Sequence, residues 1–266
     1  MSFSRILLKR LLSSRNRKHL REGRPQLAGF SFDLITMKIH IDGRFEDREL
    51  GALETLVFPF LPRDGLCLDI GANIGNHAVA FSRHFRHVHA FEPNPNVFRL
   101  LEINATLCPN VTAWHLGLSD REDTIEVVEE RGNVGATAIN GTPRRTGGNR
   151  VAFQLTTLDS HAPRLGEGRI TFIKLDVEGH EPEVIAGARQ TLARHRPVVG
   201  FESLRDNRTD GDCPTLRMLR EAGYVHFHEI RRGALPGSAP RLVKLAGFKN
   251  RNYPMLLASM DPLPGT

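Results

Sequence analysis

A chain of 266 residues with 40% hydrophobic and 25% charged residues has ordinary globular composition and room for one large α/β domain or two small ones. The formal charge of +6 is local. Residues 1–25 hold eight Lys/Arg against Glu22 alone, a net +7 that leaves the rest of the chain at −1, which argues against a nucleic-acid partner. No apolar run approaches the ~20 residues of a membrane span, and Cys67, Cys108 and Cys213 lack metal-like spacing and read as reduced thiols in a cytosolic setting.

In chain order, Phe3, Ile6, Leu7, Leu8, Leu11 and Leu12 stand among basic residues, the spacing of a short basic amphipathic helix. Residues 1–24 then either touch an anionic membrane peripherally, dock on a partner, or form a solvated leader. Lys9 and Arg10 interrupt the only N-terminal apolar segment, which argues against a signal peptide. Phe32 to Ile41 reads as a β element before the main fold, with Asp42-Gly43 as a turn. A helix through Leu50, Leu53, Leu56 and Val57 follows and ends near Pro59 and Pro62.

Leu66 to Pro95 is the organising stretch. It reads as a strand ending in Asp69, a turn with Gly71, Ala72, Asn73 and Gly75, a helix, and a strand from Val88 that delivers Glu92-Pro93 to its tip. The glycines let backbone N–H groups approach a ligand, and an acid at the second strand tip of a βαβ unit can take both hydroxyls of a ribose. The turn lacks the G-x-G-x-x-G of a pyrophosphate site and the lysine of a P-loop. Its acidic lead-in suits a cationic ligand, and S-adenosylmethionine (SAM) supplies a ribose for Glu92 and an ammonium and sulfonium near Asp69.

A helix from Asn96 to Leu107 follows, with Val97, Leu100, Leu101 and Ile103 on its buried side. Strands are expected at Val111–Leu116, Thr124–Val128, Val151–Leu158, Ile170–Leu175, Pro197–Phe201, Tyr224–Ile230 and Met255–Ser259, with helices through Val184–Leu192 and Leu216–Ala222. Residues 131–149, rich in Gly, Thr and Arg, read as a surface loop. Alternating strands and helices imply a mostly parallel sheet covered on both faces, with ligands beyond the strand carboxyl ends. Asp69, Glu92, Asp120, Asp176 and Glu202 all fall there. The division is a basic arm of residues 1–30 and a single domain of residues 31–266.

Leu68-Asp-Ile-Gly-Ala-Asn-Ile-Gly-Asn-His77, Ala90-Phe-Glu-Pro-Asn-Pro95, Leu118-Ser-Asp120, Thr157-Leu-Asp159 and Ile173-Lys-Leu-Asp-Val-Glu-Gly-His-Glu181 resemble the FkbM family of SAM-dependent methyltransferases over about residues 43–203. The resemblance implies a class I (Rossmann-like) α/β fold, a seven-stranded sheet with a reversed last strand, and O-methylation of a hydroxyl on a sugar, polysaccharide or secondary metabolite. It places Asp69, Gly71, Asn73 and Gly75 on the methionine side of SAM, Glu92 at the ribose, Ser119 and Asp120 near the adenine, and the segment from Asp176 to Glu181 toward the methyl group and acceptor.

A sugar hydroxyl is a poor nucleophile, so a base or a metal should assist. Asp176 is a candidate proton acceptor or part of an oxygen-ligand Mg²⁺ site, and Glu178 and His180 stand beside it. Glu178 and Glu181 also suit the electrostatics of the following helix, and His180 a solvated first turn. Lys174 reads as a strand residue paired with a carboxylate, and the histidines from His84 to His89 as a surface connection. Glu46 and His77 are each candidates for the cofactor side or for local structure. Two other classes stay open: a noncatalytic SAM-binding partner module, and a membrane-associated protein that uses the arm. The leading expectation is a cytoplasmic O-methyltransferase that acts on a small-molecule or glycan acceptor.

Overall fold

The computed structural model describes residues 3–128, 150–203, 213–232, 238–247, 249 and 251–263. The expected loop at 131–149 lies outside the described residues. Helices α1 (Phe3–Arg21), α2 (Leu34–Asp42) and α3 (Asp47–Leu56) precede the sheet. The core then runs β1 (Leu66–Ile70), α4 (Asn76–Phe81), β2 (His87–Phe91), α5 (Pro95–Ala105), β3 (Val111–Trp114), β4 (Gly117–Leu118), β5 (Asp123–Val128), β6 (Arg150–Thr156) and α6 (Leu158–His161). It continues through β7 (Ile170–Leu175), α7 (Glu181–Ala186), α8 (Arg189–His195), β8 (Val198–Ser203), α9 (Pro214–Glu221), β9 (His226–Arg232), β10 (Pro240–Lys244) and β11 (Tyr253–Ser259).

The main sheet has the order β10-β9-β11-β8-β7-β1-β2-β3. From β8 to β3 all neighbours are parallel, and β11 runs antiparallel between β8 and β9. That is the class I arrangement with its reversed last strand. The expected seven strands become eight because Pro240–Lys244, unmarked by any strong pattern, adds to β9 as an edge. β4, β6 and β5 form a second, three-stranded sheet.

Alternation along the central strands separates two cores. Leu66, Leu68 and Ile70 of β1 pack with Val184 and Ile185 of α7, Leu192 of α8 and Leu219 of α9. Cys67 of β1 faces the other way, into a core with Leu50 and Leu53 of α3, Phe81 of α4 and Leu101 of α5. Both layers are apolar, so the strands are buried on both faces, as parallel sheets require.

Two expectations need correction. Phe32–Ile41 is not a β element. Asp33 caps α2 by accepting the N–H groups of Ile35 and Thr36 at 2.8 and 3.2 Å, and Gly43 closes it at φ 89°. Those end signals outweigh the β-branched content between them. Ile103 is 55% exposed, because two positions beyond the buried Leu101 the helix has turned away from the core. The inward place belongs to Asn104, which bonds Ala28 and the Ile74 carbonyl.

The turn after β1 leaves no room for a side chain. Gly71 has φ 79°, and a Cβ there would lie 1.8 Å from the Asp176 carbonyl oxygen. Gly71→Ala should therefore cost roughly 2–5 kcal/mol, combining left-handed strain with overpacking. Urea denaturation measures it, and a loss below ~1 kcal/mol would show that the β1 and β7 tips separate freely.

Candidate active site

A cavity of about 260 Å³ lies at the carboxyl ends of β1, β2, β7 and β8. That is just under the usual span of small-molecule sites, roughly 300–1,000 Å³. Its walls include Gly71, Ala72, Asn73, Glu92, Pro93, Asp176, Glu178 and Glu202, with Leu34 and Ile35 of α2 and Phe45-Glu46 before α3 closing one side. Asn76 holds that last segment by both amide atoms, accepting the Phe45 N–H at 2.9 Å and donating to the Phe45 carbonyl at 3.0 Å.

The glycine turn works differently from the expectation. The Gly71 and Ala72 N–H groups donate to the Phe91 carbonyl, and Gly75 N–H donates to Ala72, so these amides serve the loop itself. Gly75 is left-handed at φ 88° beneath Leu101. The Asn73 N–H goes to Glu92 Oε2 at 3.0 Å, and the Asn94 N–H to Oε1 at 2.8 Å. Glu92 is thus held by the backbone at the end of β2 with acceptor capacity left on both oxygens. Burial pushes its carboxyl up to about 7, although these two N–H groups pull the other way.

Beneath the cavity lies a buried charge chain. Asp69 of β1 is opposite Lys174 of β7 in register. The Lys174 ammonium sits 3.8 Å from Asp69 Oδ1 and 2.8 Å from Asp176 Oδ2. Burial lowers the lysine's affinity for its proton, but Asp176, Asp69 and Glu46 outweigh it, so it stays charged. Burial also pushes the Asp176 carboxyl up, and the ammonium more than reverses this, so Asp176 is held ionised. Asp69, fully buried, has its affinity for a proton raised by burial. Asp69 is not part of the cavity wall and supports Lys174 from below.

Among the described residues Lys174 is the only Lys or Arg bordering the cavity, against Glu46, Glu92, Asp176, Glu178 and Glu202. Burial first, then Asp176, Glu178 and Glu46, pushes the Glu202 carboxyl up to about 8. Its place at a strand end was legible in the sequence; its proton affinity was not, since the neighbours come from the β7 tip and from the segment before α3, both distant in the chain. Glu46 is at the N-cap position of α3 but makes no side-chain cap, and its carboxylate meets His77 Nε2 at 3.1 Å.

Other expected residues lie elsewhere. Glu178 (φ 53°) and Gly179 (φ 95°) turn the chain sharply after β7, so His180 falls outside the cavity wall. It is buried, with Nε2 2.9 Å from Ser119 Oγ, and burial lowers its proton affinity. Ser119 and Asp120 also lie outside that wall, where Gly117 and Leu118 stand instead. Glu181 braces the turn by accepting the Val177 and Gly179 N–H groups at 3.2 Å. Asp159 accepts two N–H groups at the start of α8. His89 is not a surface residue: it is buried in β2, and burial lowers it to about 4. Among the described residues no cluster of three His, Cys, Asp or Glu side chains is arranged to hold a metal ion.

Lys174→Met would leave the buried Asp69 and the half-buried Asp176 without their cation. We expect a loss of about 3–5 kcal/mol at neutral pH in denaturant unfolding. Part of it should return as pH falls, because protonation removes the uncompensated charge. A loss under ~1 kcal/mol would show that the chain of charges contributes nothing.

Residues 69–226 match the methyltransferase FkbM domain model. The hexuronic acid methyltransferase AglP of Haloferax volcanii is 32% identical over 130 residues, which span 48% of this chain and 52% of that protein. The 2-O-methyltransferase NoeI of Sinorhizobium fredii is 27% identical over 148 residues, 50% of this chain and 61% of that one. The chain thus matches only a little over half the length of these relatives. A crystal structure of methyltransferase FkbM from Methylobacillus flagellatus KT aligns with 92% of this chain and 59% of its own, at a TM-score of 0.48 and 16% identity. A domain match that covers more than half of the sequence, laid over the β1 turn, Glu92 and the β7 tip, settles the relationship: the chain belongs to the FkbM methyltransferase family.

Proposed function

We propose that this protein is a SAM-dependent O-methyltransferase acting on a hydroxyl of a sugar, polysaccharide or other small-molecule acceptor. The observation that carries it is Glu92, buried at the end of β2, held by two backbone N–H groups and open to the cavity. The donor set fits the cofactor: a carboxylate for paired ribose hydroxyls, and a carboxylate-rich wall for a cationic ligand. SAM, when bound, supplies a methyl group on a sulfonium for in-line transfer to a nucleophile. Gly71, Ala72, Asn73, Gly75 and Pro93 shape the cofactor side, Asp69 acts through Lys174, and Ser119 and Asp120 belong to the adenine side.

On the acceptor side we assign Asp176 and Glu178. Asp176, kept ionised by Lys174, stabilises positive charge in the cavity. Glu202 has the proton affinity suited to drawing a proton from a hydroxyl near neutral pH. His180 joins this reading as a positioning residue, holding the loop through Ser119. The same reading makes residues 31–266 one methyltransferase domain behind a basic arm, in a cytoplasmic setting, with residues 1–24 touching the inner membrane face peripherally. A noncatalytic SAM-binding module is the competing class; the intact acidic segment after β7 favours the enzyme.

Calorimetric titration of SAM tests the reading. Glu92→Ala should weaken binding by at least ~30-fold, the loss of hydrogen bonds to a charged acceptor. The titration is run with and without Mg²⁺; a metal-dependent affinity would give Asp176 and Glu178 a metal-binding role. No binding to folded wild-type protein would defeat the proposal.

A second outcome concerns protons. Glu202 and Glu92 hold protons up to about 8 and 7 in the free protein, so a cationic ligand should expel them. SAM affinity should rise with pH through this window, and titration near pH 7 in buffers of different ionisation enthalpy should show proton release. Glu202→Gln should reduce the release, and identical heats in all buffers would contradict the assignment.

A further inference from the structure

Helix α1 carries seven Lys/Arg and no acid, and none of its residues whose burial is described is buried. A helix that buries nothing gains no packing stability and is marginal alone in water. Its attachments to the body gather at its C-terminal end. His19 Nε2 meets the Ile41 carbonyl at 3.3 Å, Arg83 donates to the Gly23 carbonyl, and Arg24 pairs with Asp47. Ile6, Leu7, Leu8, Leu11 and Leu12, all at least 41% exposed, stand in the first half interspersed with Arg5, Lys9 and Arg10, while the cations Arg15, Arg17, Lys18 and Arg21 stand in the second. Helix α2, packed against α1, buries none of its residues either. It exposes Met37 and Ile41, and Phe32 just before it is fully exposed.

We propose that α1, together with the outer side of α2, docks the protein on an anionic lipid bilayer. The apolar side chains of the first half of α1 enter the headgroup boundary, and the cations of both halves lie among the acidic headgroups. Charge selects this occupant. Residues 1–25 carry +7 and the remaining chain −1, so the net attraction to an anionic surface comes from this arm. A second copy packed through the same face would set two highly basic helices together. An acidic protein would satisfy the cations but gives no reason for the exposed apolar Ile6, Leu7, Leu8, Leu11 and Leu12, gathered within about two turns. Because Leu34 and Ile35 of α2 also line the cavity, the docking surface adjoins the site. The inference stands on the surface alone and does not depend on methyl transfer.

The test is co-sedimentation of the full chain with phosphatidylcholine vesicles, with and without phosphatidylglycerol, across a salt series. Binding is expected only to the anionic vesicles, weakening as salt rises. Replacing Arg5, Lys9 and Arg10 with Gln should reduce the affinity roughly 100-fold, at about fivefold per cation. The pair Leu8→Asp and Leu11→Asp should abolish binding at every salt, and Phe32→Ser with Met37→Ser should weaken it. These side chains are exposed, and circular dichroism and SAM titration of each variant confirm that the body is folded. Absence of sedimentation, or sedimentation unchanged by the Asp pair, overturns the proposal. So does light scattering that shows an oligomer, without vesicle binding, which the Asp pair returns to a monomer. If SAM fails to bind the folded wild type, the methyltransferase reading fails while the vesicle result stands, and circular dichroism alone then reports the fold of each variant.

Discussion

The site rests on a lysine buried between two carboxylates at the meeting of β1 and β7. Lys174 is 2% exposed, and an ammonium there is tolerable only because Asp69 lies opposite it and Asp176 bonds it from the strand tip. The arrangement fixes the register of the two strands at the point where both end. It also brings the Asp176 carbonyl against the Cα of Gly71, so the turn that opens the cavity and the loop that closes it are one packed unit. The sheet's two apolar layers supply the stability, and the charge chain locates the site within it.

Pairing Lys174 with Asp69 and Asp176 has an electrostatic consequence. Lys174 is largely spent on Asp69 and Asp176, so the remaining carboxylates of the wall face one another. Burial first, and this repulsion after it, make Glu202 and Glu92 hold protons, which limits the negative charge in the free protein. A cationic ligand reverses that balance. The cavity is therefore built to gain charge when it is filled, and the same groups are then ionised for chemistry. His180, with the ordinary proton affinity nearest neutrality, lies outside this circuit: the sharp turn at Glu178 and Gly179 sends it to Ser119.

The N-terminal region follows a different logic. The core hides apolar side chains in two layers, whereas α1 and α2 leave theirs in the open. α2 also reaches the cavity with Leu34 and Ile35, so the least buried part of the protein borders its most electrostatically constrained part. Asn104, bonded to Ala28 and Ile74, is one of the few ties between the two.

Sequence alone determined the βαβ unit from Leu66 to Glu92, the strands from β7 to β8, the carboxylates at their tips and the confinement of positive charge to the arm. These are local patterns: buried β-branched runs, glycines at forced left-handed positions and an acid at a strand end. It read Phe32–Ile41 as β because alternation and branching are weaker evidence than the caps at Asp33 and Gly43. Tertiary structure decided what pairwise patterns cannot encode. It put Asp69 beneath the floor, gave the turn amides to Phe91 and His180 to Ser119, added β10 at the edge, and raised the proton affinity of Glu202 through burial first and then through Asp176, Glu178 and Glu46. Each of these depends on distances between segments far apart in the chain, and a charge or a hydrogen bond is set by what lies within a few ångströms in space, whatever its separation in sequence.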